Sequence, residues 1–395
     1  MPALLRPNAW KAVAAAALLP LISANACTST EGETTPGPTA GAGIAQAGSQ
    51  SSTAGTPSTG GASGATGTGG AGTTPQGGAA GTPATAGSAG ATPTAGNAGA
   101  TATAGSGGSG FEAGDTPPAR PLNIMAAKGE HTHGGAGVDT RAAKMLGKLV
   151  VDIGVNSGGY VPWLAKRGYH SMGAPCGGCP APNLGAGRDE VGNCRLDEFK
   201  NTEMHVKTQL ANLHKQYPEE DWGYFLNADG SVRWSDVAIT GMSHGATTAA
   251  VAGRVAARMW RVVSRSGPRD TTCGAAGGVC KLPLTTPSYD VNCAPAKIAA
   301  WLDVESKTPI NRFYGLVGTT DVECGDIAFD MHYAKYPGEP LIFNVEGAVL
   351  TGSNQFFTTE GGHLDFLNAA QKPLNTEAVL NIAFAIPPEN QNPAF

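Results

Sequence analysis

Short β-branched runs alternating with helix-spaced segments over residues 118–395 predict an α/β fold. The expected architecture is a mainly parallel central sheet with helices on both faces. Two further observations shape this expectation. Composition changes sharply near residue 118, so a tether without a core precedes the folded part. Each candidate chemical residue named below also follows the end of a predicted strand, the edge where open α/β sheets build their sites.

The first stretch in chain order is a targeting segment. "MPALLRPNAWKAVAAAALLPLISANAC" has a basic start (Arg6, Lys11), an apolar run from Ala12 to Ile22, and Ala24-Asn25-Ala26 before Cys27. That is the layout of a bacterial export signal over 1–26, with an apolar run too short for a permanent membrane span. Cys27 at the first mature position, followed by a stalk, resembles a bacterial lipoprotein. Ala24, standing where such signals usually carry Leu, suits plain cleavage and secretion instead, and both routes stay open. Acyl chains on Cys27 would hold the domain at a membrane surface. Residues 27–117 are almost entirely Gly, Ala, Thr, Ser and Pro. Too few large apolar side chains offset the entropy of ordering such a chain, so a disordered linker is expected. Its loose Thr-Ala-Gly repeat has no apolar face to stack as a solenoid. The net charge of −5 lacks the basic excess of a nucleic-acid binder. No later run is long and apolar enough to span a bilayer, so residues 118–395 are expected to be a soluble domain.

"KLVVDIGV" (148–155) reads as a buried strand and "GYVPWLAKRG" as a short helix interrupted by Pro162. "YHSMGAP" (169–175) is a second strand, followed by a Cys- and Gly-rich loop to Cys194. Leu196, Phe199, Val206, Leu210, Leu213 and Tyr217 then fall near one helical face. "SDVAITGM" (235–242) and "RVVSRSG" (261–267) are strands, the first leading directly into a helix of small residues. "AKIAAWLDV" (296–304) reads as helix, "NRFYGLVG" (311–318) as strand, and "DIAFDMHYAKY" (326–336) as helix. "EPLIFNVEG" (339–347) is the last predicted strand and "LDFLNAAQK" (364–372) a closing helix. Seven cysteines lie in this part, where export makes disulfides the default. "CGGC" (176–179) has the spacing of a redox or metal motif but lacks a second Cys-x-x-Cys.

Gly241-Met242-Ser243-His244-Gly245 is a Gly-x-Ser-x-Gly sequence between a strand and a helix. A sharp strand-to-helix turn pushes the serine hydroxyl out over the sheet edge, with glycines where a Cβ would strike backbone. The helix N-terminus favours the negative charge that develops in acyl transfer. The His244 N–H is the expected first oxyanion donor, and its side chain is expected to point away. A second donor is expected from the loop after "VVDIGV", at Asn156 or Ser157. A serine hydroxyl needs a base. His363 in "TTEGGHLDFL" fits by following the last strand, whereas His332 sits inside a helix. The carboxylate that fixes the histidine is expected at Asp321 in "YGLVGTTD", ahead of Asp326 and Asp330, which fall in the next helix.

These segments, together with "RGYHSMGAP", "LHKQYPEEDWGYFL" and "VRWSDVAITGMSHGA", resemble the α/β-hydrolase superfamily, and within it a group of exported bacterial serine hydrolases. The resemblance covers about 130–370. It implies an eight-stranded type of sheet, a Ser243–Asp321–His363 triad and no metal or organic cofactor. The loop Gly154-Val155-Asn156-Ser157-Gly158 departs from the Pro-Gly that relatives tend to carry, and the insertions at 173–194 and 268–294 look particular to this chain. The machinery transfers and the substrate does not. An exported hydrolase of a small-molecule or polymeric carboxylic ester is expected. The alternatives are an amidase, peptidase or acyltransferase with the same triad, or an inactive surface binding module. Trp234, Trp260 and Trp301 are candidates to line an apolar pocket.

Overall fold

The computed structural model describes residues 121–154, 157–176, 179, 188–274, 278–284, 287–363, 366–367 and 372–395. The expected signal, linker and Cys27 lie outside these residues, as does Asn156.

Among the described residues nine strands form one sheet in the order β1-β2-β4-β3-β5-β6-β7-β9-β8. β1 (Glu130–His133) and β2 (Ala136–Asp139) make an antiparallel hairpin on one edge, and β2 runs antiparallel to β4 (His170–Ala174). All other neighbours are parallel: β4 with β3 (Leu149–Ile153), then β5 (Val237–Met242), β6 (Arg261–Arg265), β7 (Phe313–Gly318), β9 (Gln355–Thr358) and β8 (Leu341–Ile342). This is the mainly parallel architecture that the α/β-hydrolase resemblance implies.

Alternation along the strands explains two cores. Leu149, Val151 and Ile153 point to one face with Val237 and Ile239, while Val150 and Ala238 point to the other. The first face is covered by α2 (Arg188–Gln216), α3 (His244–Val251) and α4 (Cys324–Tyr333), whose Phe199, Val206, Leu210, Ala249 and Ile327 join that core. The second is covered by α1 (Ser157–Ala165) and α5 (Thr376–Ala383), through Tyr160, Leu164, Val379 and Leu380.

Several segments depart from the sequence reading. The expected strand over 339–347 is reduced to Leu341–Ile342 on the sheet edge. The strand preceding His363 is β9, whose Phe356 and Phe357 enter opposite cores. Only four residues long, it shows too little alternation to be recognised. The segment 296–304 forms no α-helix, only 3₁₀ turns at Pro295–Lys297 and Ala300–Asp303. The Lys297 carbonyl, which a continuous helix would use itself, accepts the N–H of Thr272. The closing helix expected over 364–372 falls largely outside the described residues.

Candidate active site

Ser243 stands between β5 and α3 with φ 54° and ψ −116°, a backbone conformation that L-residues avoid. Its N–H donates to the Arg265 carbonyl at 2.8 Å, and its own carbonyl accepts the Thr247 N–H at 3.2 Å. These bonds hold the strain in place. A Cβ on Gly241 would lie 2.4 Å from the Gly245 carbonyl carbon, and one on Gly245 would lie 2.1 Å from the Ile153 oxygen. The turn therefore closes only because both flanking residues are glycine. Gly245→Ala is expected to lower stability by about 1–3 kcal/mol or more, read as an earlier urea midpoint.

The sheet register sets where the other groups stand. Met242 pairs with Arg265, Arg265 with Leu316, and Gly318 with Thr358. Ser243, Asp321 and His363 thus follow three parallel strands at one rim, on β5, β7 and β9. Asp321 is fully buried, and its Oδ2 lies 2.8 Å from the His363 Nδ1. Its Oδ1 accepts the Glu323 N–H at 2.9 Å. The turn carrying it is stapled by the Cys280–Cys324 disulfide, and the Cys280 N–H donates to the Thr319 carbonyl at 2.8 Å. The His363 side chain is one-third exposed. Its loop is tied back by the Thr320 hydroxyl, which donates to the Gly361 carbonyl. Among the described residues the Ser243 hydroxyl has no hydrogen-bond partner, so two of the three expected side chains are joined and the third stands apart from them.

The rivals are occupied elsewhere. Asp326 accepts the Gly274 N–H and pairs with Arg269 at 3.6 Å. Asp330 is wholly buried, accepts the Asp270 N–H at 2.8 Å, and is raised well above the usual carboxylate range by that burial. His332 packs against Tyr289.

α3 begins at His244, so its N–H precedes the first intrahelical bond and is available at the rim. The His244 side chain turns away to Glu198 on α2, with Nε2 and Oε1 2.7 Å apart. Glu198 also accepts the Thr248 hydroxyl at 2.6 Å and the Cys179 N–H at 3.1 Å, and pairs with Arg195 at 3.3 Å. Burial alone would raise the Glu198 carboxyl. The hydrogen bond and charge of His244, with Arg195 and Thr248, outweigh it and bring the group down to about 2. A carboxyl depressed in the folded state stabilises it above its unfolded value, and the contribution is lost as pH falls toward the folded value. Glu198→Gln should therefore destabilise at neutral pH and flatten the loss of stability between about pH 4.5 and 2, measured by circular dichroism.

Ile153 pairs with Gly241, so the end of β3 lies beside the Ser243 turn. Ser157 begins α1 there, and Asn156 lies outside the described residues.

Sequence reasoning did not mark Asp152 and Arg265. These charged residues sit mid-strand and at a strand end among apolar neighbours, the only signal available. They form a buried ion pair beneath the rim, and the Arg265 guanidinium covers the Tyr160 ring at 3.6 Å. The three tryptophans are core residues rather than pocket lining. Trp301 donates to Asp270 at 3.0 Å, Trp234 donates to Glu203 at 2.8 Å, and Trp260 is buried with Tyr169. "CGGC" is not a redox or metal pair: Cys179 bonds to Cys194, and Cys176 is disulfide-bonded as well. Cys273 pairs with Cys293, and among the described residues no cysteine is free. Cys179 is therefore unable to ligate a metal beside Glu198 and His244. At the rim, Glu323 near Asp321 and His363 is held by Arg269.

No family model matches the chain, and no curated protein matches it. Solved structures do. The Pyrococcus furiosus esterase Pf2001 is 15% identical with a TM-score of 0.34, over 63% of this chain and 84% of its own. TT1662 from Thermus thermophilus is 15% identical with a TM-score of 0.30, over 65% and 92%. The esterase Est2 from the Planctomycetes species Thermogutta terrifontis, with propionate bound, is 12% identical with a TM-score of 0.29, over 60% and 81%.

Proposed function

We propose that the protein is an exported serine hydrolase that cleaves a carboxylic ester through Ser243, His363 and Asp321. The observation that carries this reading is the 2.8 Å contact between His363 Nδ1 and the buried Asp321, at the rim where Ser243 is held in a strained turn. With Nδ1–H donated to the carboxylate, Nε2 is left as the base. Ser243 Oγ attacks the carbonyl carbon while its proton passes to Nε2, and the carbonyl oxygen gathers negative charge facing the His244 N–H. Collapse breaks the bond to the alcohol oxygen, which takes the proton from Nε2. Water then adds to the acyl carbon, gives its proton to Nε2, and Ser243 leaves with that proton. The Ser243–His363 hydrogen bond is expected to form in the substrate complex, since catalytic hydrogen bonds often tighten only there. The disulfides among the described residues suit an oxidising compartment, in keeping with export, and no described helix is long and apolar enough to cross a membrane.

A second reading is an inactive hydrolase-fold binding module on a stalk. A fluorophosphonate probe separates the two. Labelling of the wild type but not of Ser243→Ala supports the enzyme, and no labelling of either supports the module. A p-nitrophenyl ester series from acetate to palmitate, run beside a peptide panel, then assigns ester or amide preference and acyl length.

A further inference from the structure

We propose that His131, His133 and Glu220 form a binding site for one zinc-class divalent cation, which clips the β1–β2 hairpin to the turn after α2. His131 and His133 are two apart on β1, so strand alternation puts both imidazoles on one face. Glu220 comes from the 3₁₀ turn Pro218–Glu220, and its carboxylate is almost fully buried. Its Oε1 lies 3.1 Å from the His131 Nδ1 and 2.9 Å from the His133 Nε2. All three ligand atoms fall within 4.8 Å of one another. An ion bound tetrahedrally at its usual distances to nitrogen and oxygen separates its ligand atoms by about 3.3 Å. The two Glu220 contacts need open by only a few tenths of an ångström to match that spacing.

The hydrogen bonds around the three residues point to a cation. The His131 Nε2 lies 2.9 Å from the Ala127 carbonyl oxygen. A carbonyl only accepts, so Nε2 carries the proton. Nδ1 is then the ring nitrogen that faces the Glu220 carboxylate. A backbone carbonyl on the far ring nitrogen is also how metal-ligating histidines are commonly oriented. The carboxylate is held in turn. Glu220 Oε2 accepts the Trp222 Nε1–H at 2.6 Å, and the Glu220 carbonyl lies 2.7 Å from the buried His170 Nε2. The His133 ring stacks on Tyr217 with centroids 3.7 Å apart. The imidazoles are 25% and 15% exposed, leaving a solvent side for a water or fourth ligand. Two imidazoles with one carboxylate suit zinc and its neighbours rather than calcium or magnesium.

The site is remote from Ser243. His131 pairs with Val138, and Gly137 pairs with Ser171, which places His131 level with the start of β4. That is the sheet rim opposite the one carrying Ser243. The cation would therefore stabilise the fold and take no part in chemistry at Ser243.

The test uses the full-length protein, stripped with a chelator and titrated with Zn²⁺ in calorimetry and thermal melts. One equivalent should bind at micromolar or tighter affinity, and the Tm should rise by about 5 °C with Zn²⁺ a hundredfold over its Kd. The variant His131→Asn/His133→Gln should lose at least tenfold in affinity and the rise in Tm. If that variant does not fold, Co²⁺ bound to the wild type should show the visible absorption of a site with nitrogen ligands and fewer than six bonds. The proposal is overturned if Zn²⁺ does not bind, if the double variant binds it with unchanged affinity and stoichiometry, or if bound Co²⁺ shows only the spectrum of the hexaaqua ion.

Discussion

Ser243→Ala is expected to remove ester hydrolysis almost completely, by about a million-fold in kcat, while leaving the thermal midpoint close to that of the wild type. The two readouts separate for a structural reason. Alanine keeps the Cβ, so the turn at φ 54° stays equally strained, and the bonds from its N–H to Arg265 and from Thr247 N–H to its carbonyl involve only backbone. Only the hydroxyl is lost. Turnover of p-nitrophenyl acetate with a parallel melting curve checks both halves. Residual activity within about tenfold of the wild type would place the nucleophile elsewhere.

Asp321→Asn is the second large effect, a fall of about ten-thousand-fold in kcat with little change in KM. Asp321 is fully buried, so its negative charge faces His363 rather than water. An asparagine amide would fill the same space and still accept the Glu323 N–H. It would carry no charge to stabilise the imidazolium, and an N–H₂ turned toward Nδ1 would select the other tautomer. The proton would then sit on the nitrogen that must act as base. The outcome to look for is a loss in kcat greater than for Asp326→Asn, because Asp326 is spent on Gly274 and Arg269. Equal losses for the two variants would remove Asp321 from its role.

The legible parts of the molecule were those with a local cause. "KLVVDIGV", "SDVAITGM" and "RVVSRSG" announce strands because continuous β-branched runs suit a sheet covered on both faces. Gly241 and Gly245 mark a close backbone approach whatever follows in the chain. β9 escaped because four residues carry too little pattern, and its neighbour over 339–347 drew the assignment instead. His363 still follows a strand end, since either strand would deliver the following loop to the same rim. His131 and His133 went unremarked, because two histidines on a short hairpin mean little until Glu220, 87 residues beyond His133, is brought between them.

What the sequence determined by itself was the α/β alternation and the strand–serine–helix turn at Ser243, because each depends on neighbours within a few positions. Tertiary structure alone decided that Asp321 is buried against His363 and that His244 is drawn off to Glu198. It also decided that Cys179 bonds to Cys194 and that Glu220 meets two imidazoles. Those outcomes depend on sheet register and on which faces are buried together, and no local pattern encodes a contact whose partners lie 15 or more residues apart.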